Sequence, residues 1–401
     1  MDLLYITNGF PFPLTSGYLR HYHLLRELAP RHRVTLLSMV GPGFEPAHRE
    51  ALAPFVDAIH TFGAGPGGTR LAKVRRRLEG VVRSPSSGPV AAMRAVAESL
   101  VARQHFDAVV FSGKRTYPVL DALRSLPVVA DMCDATSSRL RGGLTFAAPV
   151  QRARDLAELL EVRRVERHLL DLADHLVFAS ARDRDLLARG PALERSTVVP
   201  NGVDLEFWER SEPTLGRSRV VFTGKMDYPP NEHAALHLAH AVMPIVRQSV
   251  PDAELLIVGR DPTARLLAAA GPGVTVTGYV DDVRPYLDSA SVFAAPLHFG
   301  AGIQNKVLDA LAMGVPVVAS SLAAAGVRAG DGSAAPIAVA DGPMAFAGLV
   351  VERLRAAAAG ASPSAESRRF VADSFAWADS ARLLEDAVGA AVSARSLRSA
   401  T

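Results

Sequence analysis

Lysine is scarce in this chain. Of 44 basic residues only four are lysines, Lys73, Lys114, Lys225 and Lys306, and the remainder are arginine. Cysteine is rarer still: Cys133 stands alone, which excludes an intrachain disulfide and any multi-cysteine metal site. No run of about 18 apolar residues occurs, so no transmembrane helix is expected. The opening "MDLLYITNGF" lacks a basic leader region, and the expectation is no signal peptide and a cytoplasmic protein. A net charge of +3 over 401 residues is too small to argue for a nucleic-acid partner.

What is present is a soluble globular composition, 49% hydrophobic and 21% charged. The length exceeds what one ordinary core fills and predicts two domains of roughly 150–200 residues each. "LLYIT", "RVTLLSMV", "DAVVFSG", "PVVADMCD" and "ADHLVFAS" read as strands, and "SGYLRHYHLLRELA" as an amphipathic helix after the first of them. After "VVPNGVDLEFW" the pattern restarts with "RVVFTG", "AELLIVG", "VTVTGY", "SVFAAPL" and "GVPVVAS". Continuous Val/Ile/Leu runs between helices signal parallel sheets covered on both faces, hence an α/β chain of two doubly wound units. The Pro-Asn-Gly turn signal places a boundary there: a first domain over 1–198, a second over 199–375, and a last helix at about 376–401 that could pack back on the first. Residues 70–83 form a basic amphipathic stretch that could touch anionic lipid or a partner, although a solvated face is the commoner meaning of such a pattern.

Ligands of open α/β sheets sit outside the carboxyl ends of the strands, which selects the loops to weigh. "HFGAGIQNKVLDALAMG" follows one strand. Gly300 and Gly302 permit close backbone approach, and a helix starting near Ile303, Gln304 and Asn305 directs its first amides toward a ligand. Lys306 adds a positive charge in the first turn, and Asp309, one turn on, could accept hydrogen bonds from a ribose diol. An ordinary crossover with turn glycines and a solvated Asp309 is an equally good reading of that loop by itself. The loops after three other strands add Gly224 and Lys225, Gly259 and Arg260, and Gly278, Tyr279 and Val280, the last group suited to sandwich a base. In the first half, Ser16 and Gly17 open a helix bearing Arg20 and His21, while Asp131 and Asp134 flank Cys133 at a strand end. Those aspartates could bind hydroxyls or merely cap the segment that follows.

These stretches together resemble the retaining glycosyltransferases of family 4. The resemblance covers nearly the whole chain and is strongest from about Val198 to Val327. It implies the GT-B architecture, two Rossmann-like domains facing each other across a cleft, with acceptor binding in the first and a nucleotide-sugar donor in the second. "SGYLRH" matches the family's glycine loop and histidine, with His21 on the histidine; "GKMDY" puts Lys225 where a donor-diphosphate contact falls. The family's paired glutamates fall on Ala301 and Asp309, and its usual second lysine on Pro230 or Asn231, so Lys306 would supply the missing cation. The wording "GAGI-x-NKVLEA" of one subset is similar to this chain, and the family's first-domain histidine is replaced by Cys133, leaving Asp134 as the nearest polar candidate. The implied catalytic pair is Asp134 and His21. The implied donor-site residues are Gly17, Lys225, Arg260, Tyr279, Val280, Gly302, Ile303, Gln304, Asn305, Lys306 and Asp309. No cofactor and no metal are expected. The implied partners are an NDP-sugar, UDP- or GDP-linked first of all, and a small-molecule or glycan acceptor from natural-product or cell-envelope chemistry. A sugar-nucleotide epimerase or hydrolase, and a non-catalytic sugar-nucleotide-binding protein, are the rival readings.

Overall fold

The computed structural model describes residues 1–14, 19–41, 43–63, 88–210, 218–361 and 363–399. Ser16, Gly17 and the basic stretch at 70–83 lie outside them.

Two parallel sheets organise the chain. The first contains β1 (Asp2–Thr7), β2 (Arg33–Met39), β3 (Ala58–Phe62), β4 (Ala108–Ser112), β5 (Val128–Cys133), β6 (His175–Phe178) and β7 (Ser196–Val198). Its order is β3-β2-β1-β4-β5-β6-β7. The second contains β8 (Arg219–Thr223), β9 (Glu254–Val258), β10 (Val274–Val276), β11 (Val292–Ala295), β12 (Val317–Ala319) and β13 (Ile337–Val339), in the order β10-β9-β8-β11-β12-β13. Both are doubly wound, Rossmann-like α/β arrangements. Each reverses direction of growth beside its first strand, at β1/β4 and at β8/β11, and such a switch point opens a crevice at the carboxyl edge.

The central strands are apolar on both faces because helices cover both. β4 and β11 are buried at every residue, and Tyr5, Phe111, Phe222 and Phe293 are among the largest fully buried side chains. Removing each from water contributes roughly 1.5–3 kcal/mol. A buried tyrosine hydroxyl needs a partner; Tyr5 finds one in His21 Nδ1 at 3.0 Å. The helix Trp377–Ser399 joins the first sheet's core through Trp377, Ala381, Leu384, Val388 and Ala391. That spacing places them on one face of the helix. His23 stacks on Trp377, and Glu385 pairs with Arg31.

The compact units are Met1–Asp134 with Leu160–Val199 and Trp377–Thr401, and Ala135–Leu159 with Pro200–Ala376. One assignment differs from the reading of the sequence, which kept residues 135–159 in the first domain. The physical reason lies in their packing. A Cβ on Gly142 would sit 2.9 Å from Phe299 Cβ, and Phe146 stacks on Phe299 at 5.2 Å and against His233 at 4.3 Å. Among the described residues no helix is long and apolar enough to cross a membrane.

Candidate functional site

At the carboxyl edge of the second sheet the loops after β8, β9 and β11 converge. Lys306 lies in the first turn of the helix Asn305–Ala312, which follows β11. Its Nζ donates to Asn231 Oδ1 and stands 4.7 Å from the centroid of the Phe222 ring at the end of β8. Asn231, in the first turn of the helix Pro229–His237 after β8, in turn donates Nδ2 to the Lys225 carbonyl at 2.9 Å. One amide side chain therefore ties both lysine-bearing loops together.

Glycine is required at two points of this arrangement. A Cβ on Gly224 would lie 2.6 Å from Asn231 Nδ2 and 3.1 Å from Lys306 Nζ, and one on Gly259 only 1.8 Å from the Gly224 carbonyl oxygen. Both residues also have positive φ, 153° and 148°, where side chains are disfavoured. Glycine here lets the loops after β8 and β9 pack backbone against backbone and lets Asn231 and Lys306 close on Gly224.

The helix Asn305–Ala312 begins without a side-chain cap; the Val307 and Leu308 amides donate to the Gln304 carbonyl, which leaves those of Asn305 and Lys306 for water or an anion. Its face toward the sheet is held by buried Val307, Leu308 and Leu311. Burial pushes Lys306 down to about 7, with Asp309 opposing the shift, and burial also raises Asp309 well above the usual carboxylate range. A bound dianion would restore the lysine's charge.

The other residues expected at this edge are placed as follows. Lys225, about half exposed, pairs with Asp227 at 3.0 Å and lies 3.8 Å from Asp261. Arg260 stands 3.9 Å from Asp261. Tyr279 is 65% exposed, which leaves its ring face open, and Val280 beside it is half-buried. Gly302 has φ 74°, Ile303 is buried, Gln304 Nε2 contacts the Ala301 carbonyl at 3.4 Å, and Asn305 Oδ1 accepts from Asn201 Nδ2 at 2.8 Å. Asn231, which the resemblance set only at the place of the family's usual second lysine, was not expected as the partner of Lys306. Its signal was available, a polar residue in the first turn after Pro229–Pro230.

The carboxyl edge of the first sheet is built differently. Arg20 Nε donates to Asp131 Oδ2 at 2.8 Å, both buried, and Asp131 Oδ1 accepts from Cys133 N at 3.0 Å. His21 is 2% exposed, and burial lowers its imidazole to about 4, so it is neutral near pH 7. Burial raises the Cys133 thiol to about 12. Lys114, after β4, reaches Asp134 Oδ1 at 3.3 Å and Glu166 Oε1 at 3.2 Å. Glu166 gave no signal in the sequence, being one of five acids among as many arginines in the helix Pro149–Leu172. Among the described residues no group of three or more His, Cys, Asp or Glu is placed to hold a metal ion.

Parts of the chain are similar to known proteins. Residues 217–356 match the sequence profile of the family "Glycosyl transferases group 1", a stretch that contains the whole lysine–asparagine cluster. The phosphatidyl-myo-inositol mannosyltransferase of Mycobacterium leprae is 32% identical over 167 residues, 39% of this chain and 44% of that protein. The glycogen synthase of Mycobacterium tuberculosis is 26% identical over 178 residues, 41% of this chain and 42% of the other. The chain thus aligns with less than half the length of these curated relatives. Among solved structures, HepE of Anabaena in complex with UDP and glucose superimposes with a TM-score of 0.64 at 14% identity, covering 96% of this chain and 98% of that one. The sucrose-phosphate synthase of Thermosynechococcus elongatus does so with 0.63 at 17% identity over the full length of both. At such identities the likeness is one of fold.

Proposed function

We propose that this protein is a retaining glycosyltransferase of the family 4 type, moving a sugar from a nucleoside diphosphate sugar to an acceptor. The observation that carries the reading is Lys306. It is a half-buried lysine at the β8/β11 switch point, beside an uncapped helix start and the closely packed glycines Gly224 and Gly259, inside the segment that matches the group 1 family. The work asked of such a site is to stabilise charge growing on a departing diphosphate. Lys306, Lys225 and the amides at Asn305 supply that stabilisation without a metal on this reading. Asp309 would hold the ribose, and Tyr279 with Val280 the base. The solved complexes of HepE with UDP and with UDP-glucose support a UDP-linked donor, with GDP as the alternative.

With retention and no covalent protein nucleophile, leaving group and acceptor meet on one face of an oxocarbenium-like centre. The first unit is assigned to the acceptor, a small molecule or glycan, with Asp134 and the neutral His21 as its polar participants. Lys114 fixes the orientation of Asp134.

The test is a thermal-shift and calorimetry series with UDP, GDP, dTDP and ADP, followed by product analysis with UDP-glucose and candidate acceptors. Failure of all four nucleotides to bind overturns the reading. A second reading, a non-catalytic sugar-nucleotide-binding protein, is favoured by Ala301 where the family carries a glutamate. Binding with neither transfer nor donor hydrolysis would select it.

A further inference from the structure

We propose that the second unit holds a second ligand site, at the amino-terminal edge of its sheet, for a small amphipathic anion: a hydrocarbon body carrying one carboxylate. A cavity of about 440 Å³ lies there, within the size range of small-molecule pockets. Ser291, Pro316 and Pro336, which line it, immediately precede β11, β12 and β13. The helices Pro343–Ala358 and Ala365–Ser374 supply the other walls. Lys306 follows the opposite, carboxyl end of β11, so a nucleotide there leaves this cavity empty.

The lining has two characters. Val317, Ile337, Ala356 and Ala357 give an apolar wall, while Arg210 and Arg353 give two guanidinium groups against the single lining carboxylate of Glu366. Arg210 is fixed from behind: its Nη2 donates to the carbonyls of Asp288 at 2.7 Å and Ala290 at 3.4 Å. Its buried Nε has no hydrogen-bond partner and stands 3.9 Å from Asp288 Oδ1, beyond hydrogen-bond reach. A guanidinium so placed has lost water without gaining a close carboxylate, and burial accordingly lowers its pKa. Arg353 is only loosely engaged, 3.8 Å from an exposed Glu352. A purely ionic ligand would leave the apolar wall wet, and a neutral one would leave the arginines uncompensated. Arginine pairs planar carboxylates in a bidentate manner, which completes the match.

This site is independent of the donor reading and stands or falls separately. Calorimetry on the full chain compares sodium octanoate with 1-octanol. Octanoate is expected to bind, and the alcohol to bind at least about tenfold more weakly. Ala357→Trp fills the cavity, and Arg353→Gln removes an accessible charge without touching the carbonyl-bound Arg210. Each should lower octanoate affinity by about tenfold or more (1.4 kcal/mol per decade), while cooperative thermal melting reports that the fold is kept. Absence of octanoate binding to the parent overturns the proposal. So does equal affinity for the alcohol, or octanoate affinity unchanged in both folded variants.

Discussion

The two sheets share one strand order around their switch points, yet they treat the charges withdrawn from water at their carboxyl edges in opposite ways, the exposed Lys225–Asp227 pair of the second apart. In the first unit the charges are settled internally: Arg20 against Asp131, Lys114 against Asp134 and Glu166, His21 neutral against Tyr5. In the second, Lys306 meets an amide oxygen and a ring face, and among the described residues no carboxylate lies within ion-pair distance of it. The pKa directions express the same contrast. Burial raises Asp131, but Arg20, His21 and the Cys133 amide together leave it lowered, whereas burial dominates for both Lys306 and Asp309 and pulls each toward its neutral form. A settled pair holds a fold. A cation kept from its counter-charge is stabilised when an anion arrives.

The largest effect should come from breaking a settled pair. Arg20→Met leaves Asp131 buried without its partner, which costs about 3–5 kcal/mol of stability. Urea denaturation is the measurement. UDP affinity of the folded variant should stay at the parent value, since nothing in the second unit changes. A parallel loss of UDP affinity would break the contrast between the two edges.

Next is Lys306→Met, which should weaken UDP binding by about 1.5–3 kcal/mol, the range of a charge-assisted hydrogen bond. Lys225→Met should cost less, because Lys225 is about half exposed and already engaged by Asp227. Calorimetry ranks the two, and equal or absent losses would remove Lys306 from the centre of the site.

How far the sequence allowed this picture depends on burial. Most of the strands it located, such as "RVVFTG" and "DAVVFSG", are covered on both faces and therefore carry unbroken apolar runs; the edge strand β10, in "VTVTGY", is the exception. β3, β7 and β13 escaped it, and all three are edge strands. "AIHTF" keeps a histidine and a threonine at half-buried positions, and "STV" and "IAV" are three residues long with no fully buried member. The lysine loops were legible because glycine, lysine and a helix start stand together in the chain. Asn231 as the partner of Lys306 was not, because 75 residues separate them. The transfer of residues 135–159 to the second unit had the same cause: Gly142 and Phe146 reveal their role only against Phe299.

A smaller, graded effect should appear with pH. In the free protein Lys306 titrates near 7, and a bound diphosphate favours its charged form and raises that value. Below about pH 7 the lysine is already protonated and UDP affinity is independent of its titration. As pH rises above 7, binding must take up a proton, and affinity falls by up to about tenfold per pH unit until the pKa of the complex is reached. Calorimetry at pH 8 in two buffers of different ionisation enthalpy counts that proton directly. Lys306→Arg should flatten the profile, because arginine stays charged throughout. A parent profile that is already flat would mean that Lys306 keeps its charge without ligand.

The smallest effect concerns Asp309, and it is read as a ratio. Burial raises Asp309, and a charged Lys306 together with a donating ribose hydroxyl favours its ionised form in the complex; Asp309→Asn retains shape but replaces one carboxylate oxygen by an amide donor, so that hydroxyl loses a charge-assisted bond. The loss of Asp309's charge also removes the one influence that holds the Lys306 pKa up. That indirect loss falls equally on UDP and 2′-deoxy-UDP, since both carry the diphosphate that Lys306 meets. The direct loss falls only on the ligand whose 2′-hydroxyl donates to the carboxylate. The variant should therefore reduce UDP affinity by about 1 kcal/mol more than it reduces 2′-deoxy-UDP affinity. Paired titrations of parent and variant with both nucleotides give the difference, in which the lysine's contribution cancels. Equal losses on the two ligands would place Asp309 beside the lysine as a tuning charge and leave ribose recognition to another residue.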